Sequence, residues 1–181
     1  MAEGGVNAIF VNGTTGEFAR FSQKSRQELV STVAKAAKGR VAVLAGVSEC
    51  GTRLVIENIK RAEEAGADAI VTTMPYYFPT TSIREQIEFT EDVTASTKLP
   101  VLLYNIPPVT GYSLNEELLD HVCDIDNLYG IKDSSGKAEN FLKLKERYGE
   151  KLKIFVGAEK LNYFGLKNGA DGLVQIGRAH V

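Results

Sequence analysis

The sequence predicts an α/β fold in which parallel strands, buried on both faces, are joined by helices. Three observations carry this. Short, near-continuous apolar runs rich in Val, Ile, Leu and Ala recur along the 181 residues. Charged amphipathic segments with helical spacing separate them. The turn after the first apolar run lacks a Gly-x-Gly-x-x-Gly pattern. That disfavours an open dinucleotide-binding sheet and favours the other parallel architecture, a closed barrel.

Asn7 to Asn12 is the first apolar strand. Ser22 caps a helix to about Lys38, because its hydroxyl can accept from a first-turn N–H and Arg26, Leu29, Val30, Val33 and Ala37 follow at helical spacing. Val41 to Gly46 is the next strand, and Thr52 to Ala65 a charged amphipathic helix ended by Gly66. Ala67 to Thr73 is a strand and Ser82 to Ser96 a helix. Leu99 to Tyr104 is a strand with Pro100 at its start; Ser113 caps a helix to about Val122. Leu128 to Lys132 is a strand, followed by a helix from about Ala138 to Tyr148. Leu152 to Gly157 is a strand, Glu159 to Asn168 a helix stopped by Gly169, and Ala170 to Gln175 the last strand.

Seven similar strand–helix units predict a (β/α)8 TIM barrel, incomplete, with about seven of eight strands. Residues 1–175 are expected to form this partial catalytic barrel, truncated at both ends. The tail Ile176-Gly177-Arg178-Ala179-His180-Val181 reads as the translation of a common sequencing-adapter stretch. Residues 176–181 are therefore expected to be non-native. Parent codons that differ from the adapter there would contradict this.

Composition narrows the function. With 44% hydrophobic and 24% charged residues the chain is an ordinary globular sequence. A net charge of −2 without a basic run argues against a nucleic-acid partner. No apolar run reaches the roughly 20 residues of a membrane span, and Met1 to Gly5 lacks the basic start and apolar core of a signal peptide. Cys50 and Cys123 have neither metal nor redox spacing, which fits a reducing cytoplasm. His121 and His180 are too scattered for a metal cluster. No metal or other cofactor is expected.

Chemistry in such a barrel collects at the carboxyl ends of the strands. The first strand ends in Asn12-Gly13-Thr14-Thr15-Gly16-Glu17, a tight turn whose exposed N–H groups suit a carboxylate or phosphate. The third ends in Pro75-Tyr76-Tyr77-Phe78-Pro79. The fourth ends in Tyr104-Asn105-Ile106-Pro107-Pro108-Val109-Thr110-Gly111, with Tyr104 as its last residue. The fifth ends at Lys132, in Gly130-Ile131-Lys132-Asp133-Ser134-Ser135-Gly136. A lysine ammonium in an apolar pocket loses hydration and acidifies. The neutral amine can then attack a ketone to form a Schiff base. The sixth strand ends at Gly157-Ala158-Glu159.

The Gly-Thr-Thr-Gly-Glu turn, the Tyr-Asn-x-Pro-x-x-x-Gly run and the Gly-Ile-Lys strand, in this order, resemble the dihydrodipicolinate synthase / N-acetylneuraminate lyase family of class I aldolases. The resemblance covers essentially all of Gly4 to Gln175. It implies that Lys132 is the Schiff-base lysine for pyruvate or a 2-oxo acid. Tyr104 matches the tyrosine that shuttles protons. Gly13, Thr14 and Thr15 match the turn that holds the 2-oxo acid carboxylate. Tyr77 resembles the tyrosine that, in some members, completes a proton relay across a subunit interface, and since family members usually form tetramers or dimers the resemblance implies a homo-oligomer. Gly157 and Val174 join the expected substrate-binding positions.

Three positions bear on the aldehyde partner. Val109 stands where the lysine-biosynthetic synthases of the family usually carry an arginine, and an aliphatic side chain cannot pair with a carboxylate. Ser134 resembles members that cleave sugar-derived 2-oxo acids. Glu159 is followed by Lys160, which departs from the acidic pair of sialic-acid lyases. These positions favour reversible cleavage of a 2-keto-3-deoxygluconate-like acid to pyruvate and an aldehyde. The alternative is 4-hydroxy-tetrahydrodipicolinate synthase, condensing pyruvate with aspartate semialdehyde. A non-catalytic binding scaffold is a reading of another class. A phosphate-binding barrel enzyme would show its site after the last two strands.

Overall fold

The structure, a computed structural model, describes residues 2–78 and 82–176. Residues 177–181, most of the expected non-native tail and including His180, lie outside the described residues, as does Pro79.

The described residues form one sheet of seven parallel strands in sequence order, with helices between. The strands are β1 (Ala8–Val11), β2 (Ala42–Gly46), β3 (Ala69–Thr72), β4 (Val101–Asn105), β5 (Leu128–Asp133), β6 (Lys153–Val156) and β7 (Gly172–Leu173). The helices are α1 (Gln23–Ala37), α2 (Thr52–Glu64), α3 (Ile83–Ala95), α4 (Pro107–Thr110), α5 (Glu116–Val122), α6 (Ala138–Tyr148) and α7 (Asn162–Lys167). This is the expected partial barrel.

Alternation along each strand divides the buried residues into two cores. Val43, Ile70, Leu103, Ile131 and Ile154 face outward and pack against the helices with Val30, Val55, Ile59, Phe89, Leu118 and Phe141. Ala69, Val71, Leu102 and Tyr104 face inward, where Phe10, Leu44 and Phe155 join them. The outward core is large and aliphatic. The inward one carries the aromatic rings that surround the strand ends.

A register shift between β4 and β5 restores this alternation. Val101 pairs with Leu128, but Leu102 pairs with Gly130, so Tyr129 is the extra residue of a bulge. Leu128 and Ile131, three apart, can therefore both face the helices. Tyr129, 47% exposed, stacks on Phe155 instead.

Several local expectations are refined. Ser22 does cap α1, its hydroxyl accepting from Ser25 N–H at 3.1 Å, but Leu29 on that helix is exposed. The cap of α5 is Asn115, not Ser113: Asn115 Oδ1 accepts from Leu118 N–H at 2.9 Å, and Glu116 and Glu117 then fall in the first turn. The segment after β4, for which no helix is expected from the sequence, contains α4. Its start at Pro107 is reasonable because a proline lacks the N–H that a helix start leaves unpaired, and Gly111 ends it at φ 81°. The helix expected over Glu159 to Asn168 divides into a 3-10 turn, Glu159–Leu161, and α7. The last strand is only Gly172–Leu173. Tyr104 and Lys132 are each followed by one more strand residue.

Candidate active site

The site begins with a register. β4 and β5 pair in parallel with Tyr104 opposite Lys132, and both side chains point inward. Lys132 is 6% exposed and Tyr104 7%. The Lys132 Nζ lies 3.3 Å from the centroid of the Tyr104 ring and 5.6 Å from that of Phe10. Its hydrogen-bond partner is Ser134 Oγ, at a long 3.4 Å. Burial among rings strips water from the ammonium and pulls its pKa from 10.5 down to about 7, against the opposing pull of the neighbouring Asp133 carboxylate. The ring faces compensate in part through their negative quadrupoles. Burial therefore shifts the amine toward its neutral form, the form that adds to a carbonyl. The Tyr104 hydroxyl has no hydrogen-bond partner among the described residues.

Two glycines make room for this cluster. A Cβ on Gly157 would stand 2.3 Å from Ser134 Oγ and 3.1 Å from both Cε and Nζ of Lys132. The amine occupies space that a side chain at position 157 would take. A Cβ on Gly13 would stand 3.0 Å from the Phe10 ring. The Thr14 turn thus rises directly from the ring that Lys132 faces.

On the opposite side of β5 from the amine, Asp133 is 2% exposed and gathers several donors. Asn105 Nδ2 reaches its Oδ1 at 2.6 Å, Asn140 Nδ2 the same oxygen at 3.1 Å, and the Ser135 hydroxyl its Oδ2 at 2.8 Å. Asn105 Oδ1 in turn accepts from Leu114 N–H at 3.1 Å.

The structure brings Lys132, Tyr104, Ser134 and Gly157 into contact. Thr14 is half-buried and Thr15 exposed, in a turn closed by Glu17 N–H on Thr14 O at 3.0 Å. Asn12 and Glu17 bracket it with φ of 58° and 53°. Other expected positions lie further out. Tyr77 is 73% exposed and sets its ring edge-on to Phe78, and Val109 on α4 is 54% exposed. Glu159 is exposed at the start of its 3-10 turn, and Val174 is half-buried, its N–H bonded to Val156 O at 2.8 Å.

Sequence reasoning missed Thr73, Asn105 and Asp133. Thr73 is 4% exposed and its hydroxyl has no partner among the described residues. It follows Ala69 and Val71 on the inward parity, and Thr72 pairs with Leu103, which sets Thr73 level with Tyr104. Strict alternation through Ala69 and Val71 was the signal that could have found it. Among the described residues no group of three or more His, Cys, Asp or Glu is placed to hold a metal, and no helix is long and apolar enough to cross a membrane.

Comparison with known proteins places this geometry. The sequence model of the dihydrodipicolinate synthetase family matches residues 1–179. A 4-hydroxy-tetrahydrodipicolinate synthase of Prochlorococcus marinus is 34% identical over 176 residues, 97% of this chain and 58% of that protein. The chloride-inhibited dihydrodipicolinate synthase of Acinetobacter baumannii, solved with pyruvate, superposes with a TM-score of 0.91 at 29% identity, covering 96% of this chain and 60% of that one. A prophage protein of E. coli K12 from the same family, also solved with pyruvate, gives a TM-score of 0.90 at 30% identity, covering 96% and 59%. The chain spans about three fifths of the length of these proteins.

Proposed function

The chain belongs to the dihydrodipicolinate synthetase family, and from that premise we propose that it carries the Schiff-base site of a class I aldolase acting on pyruvate and related 2-oxo acids. The observation that carries the reading is the Lys132 amine, buried at the end of β5 and set on the Tyr104 ring at 3.3 Å from its centroid.

The chemistry follows from the residues. The neutral Lys132 amine adds to the ketone carbon; a proton moves to the oxygen, and loss of water leaves an iminium. The iminium is an electron sink, so the adjacent carbon can lose a proton, or lose an aldehyde fragment, as the enamine. The Tyr104 hydroxyl, without another partner among the described residues, supplies and accepts the protons. The N–H groups of the Thr14–Thr15 turn hold the 2-oxo acid carboxylate, which fixes the ketone at attack distance from Nζ. Two solved relatives carry pyruvate, in keeping with this substrate class. Tyr77 is proposed as a further proton relay, completed in a homo-oligomer.

For the second substrate, the names of the relatives favour 4-hydroxy-tetrahydrodipicolinate synthase, the condensation of pyruvate with aspartate semialdehyde. A second reading, cleavage of a 2-keto-3-deoxy sugar acid, is favoured by Val109, which offers an aliphatic, half-exposed surface where a carboxylate would need a cation. The test is a direct comparison of kcat/KM for aspartate semialdehyde with pyruvate against 2-keto-3-deoxygluconate cleavage. Preference for the semialdehyde supports the synthase, preference for the sugar acid supports the second reading, and turnover of neither 2-oxo acid chemistry contradicts the aldolase.

A further inference from the structure

We propose that Asp133, clamped by Asn105, Ser135 and Asn140, is a positioning residue that holds the Lys132 amine in its reactive place and charge state. The proposal rests on the Schiff-base reading of Lys132.

The geometry is that of a rivet behind the site. Tyr104 and Lys132 face the barrel interior, and the residues after them, Asn105 and Asp133, face the other way as the next pair in the register. Their side chains meet at 2.6 Å. This bond ties the two strand ends at the level where the ladder finishes and would otherwise fray. Asn105 extends the tie to Leu114 N–H, ahead of α5. Asp133 extends it forward: Ser135 Oγ donates to Oδ2 at 2.8 Å, Ser135 N–H reaches Oδ1 at 3.4 Å, and Asn140 on α6 reaches Oδ1 at 3.1 Å. Ser134, the hydrogen-bond partner of Lys132, is therefore held between two anchored neighbours. A buried carboxylate with this many donors has one stable orientation, because each lost donor would leave a desolvated charge.

The same carboxylate acts on the amine through charge. Among the described residues, Phe10 on β1, Tyr104 on β4, Phe155 on β6 and Gly157 just after β6 surround Lys132 without a formal charge. Asp133 is the charged group that acts on it, and it favours the ammonium. Without Asp133 the amine would be neutral at still lower pH, and less firmly placed.

The test is borohydride trapping of pyruvate on Lys132 as a function of pH, with folding followed by near-ultraviolet circular dichroism. Asp133→Asn keeps the size and part of the hydrogen bonding but removes the charge. The trapping midpoint should move to lower pH by about half a unit or more, and the plateau rate should fall about 10-fold. Asp133→Glu restores the charge but not the fit, so the midpoint should return while the plateau stays low. A folded Asp133→Asn protein with wild-type midpoint and plateau would overturn the proposal. If Asp133→Asn does not fold, Asn140→Ala removes one donor only; its plateau should fall about threefold at an unchanged midpoint. An unchanged plateau would then overturn the proposal. Absence of any adduct on the folded wild type overturns the Schiff-base reading and this proposal together, whereas a wild-type adduct with indifferent variants overturns the proposal alone.

Discussion

The Lys132 amine lies on the face of the Tyr104 ring, 3.3 Å from its centroid. In the proposed mechanism the ring and the hydroxyl of this one residue have separate tasks. The ring would support a cation that has lost most of its water, and the hydroxyl, without a partner among the described residues, would exchange protons with a bound substrate.

Tyr104→Phe separates those tasks. The ring and its contact with Nζ survive, so the pyruvate adduct should still form on Lys132, though more slowly because loss of water is no longer assisted, and stability should change by less than about 0.5 kcal/mol. Turnover should fall by about 10²–10⁴-fold, because the proton donor is gone. Steady-state kinetics set beside trapping rates will show whether the losses divide this way.

Lys132→Met should stabilise the chain. The folded-state pKa of Lys132, about 7, lies below its ordinary 10.5. Between those values the unfolded chain holds a proton that the folded chain lacks, so this group makes stability rise with pH. Below the folded value the buried ammonium costs its full desolvation. The methionine variant should therefore gain about 2–5 kcal/mol near pH 6, and about 2 kcal/mol less near pH 9. Urea unfolding at both pH values measures the difference; a gain that grows with pH would contradict the assignment.

Gly157→Ala tests the space beside the amine. Its Cβ would meet Ser134 Oγ at 2.3 Å and Lys132 Nζ at 3.1 Å, both ends of side chains that can move aside. Stability should drop by only about 1–2 kcal/mol. Pyruvate trapping should slow about 10-fold or more, since the amine leaves its place over Tyr104. Equal trapping rates in the two proteins would show that Nζ does not react from this position.

Val109→Arg bears on the aldehyde partner. Position 109 is half-exposed on α4, so the longer side chain fits without repacking. If this position selects the second substrate, the variant should raise kcat/KM for aspartate semialdehyde by about 10-fold or more and leave pyruvate trapping unchanged. No gain would remove Val109 as the selector.

The strand–helix order was legible because the strands are nearly pure apolar runs, those in the middle of the sheet such as β3 and β4 buried throughout, and Lys132 stood out where one such run ended. The exact strand ends were not legible: Asn105 and Asp133 look like turn residues, yet backbone bonds from Ser134 N–H to Asn105 O and from Gly157 N–H to Asp133 O, both 2.8 Å, and their mutual side-chain bond at 2.6 Å keep them in the ladder. Ser113 and Asn115 are both good helix caps by type, and the choice between them rests on which oxygen reaches a free N–H. The bulge at Tyr129 could not be seen at all, since a run of apolar residues does not reveal which of them faces inward. The aromatic surroundings of Lys132 come from β1, β4 and β6, so its acidification is a property of strands distant in sequence packing together and of no local stretch of sequence.

The central claim is that Lys132 is a nucleophilic amine poised near neutral pH. Borohydride reduction in the presence of pyruvate, followed by peptide mass mapping across a pH series, tests it most directly. The account predicts a reduced pyruvyl adduct on Lys132, with trapping that rises through a midpoint near pH 7 as the amine loses its proton. A folded protein with no adduct, or an adduct on another lysine, would contradict it.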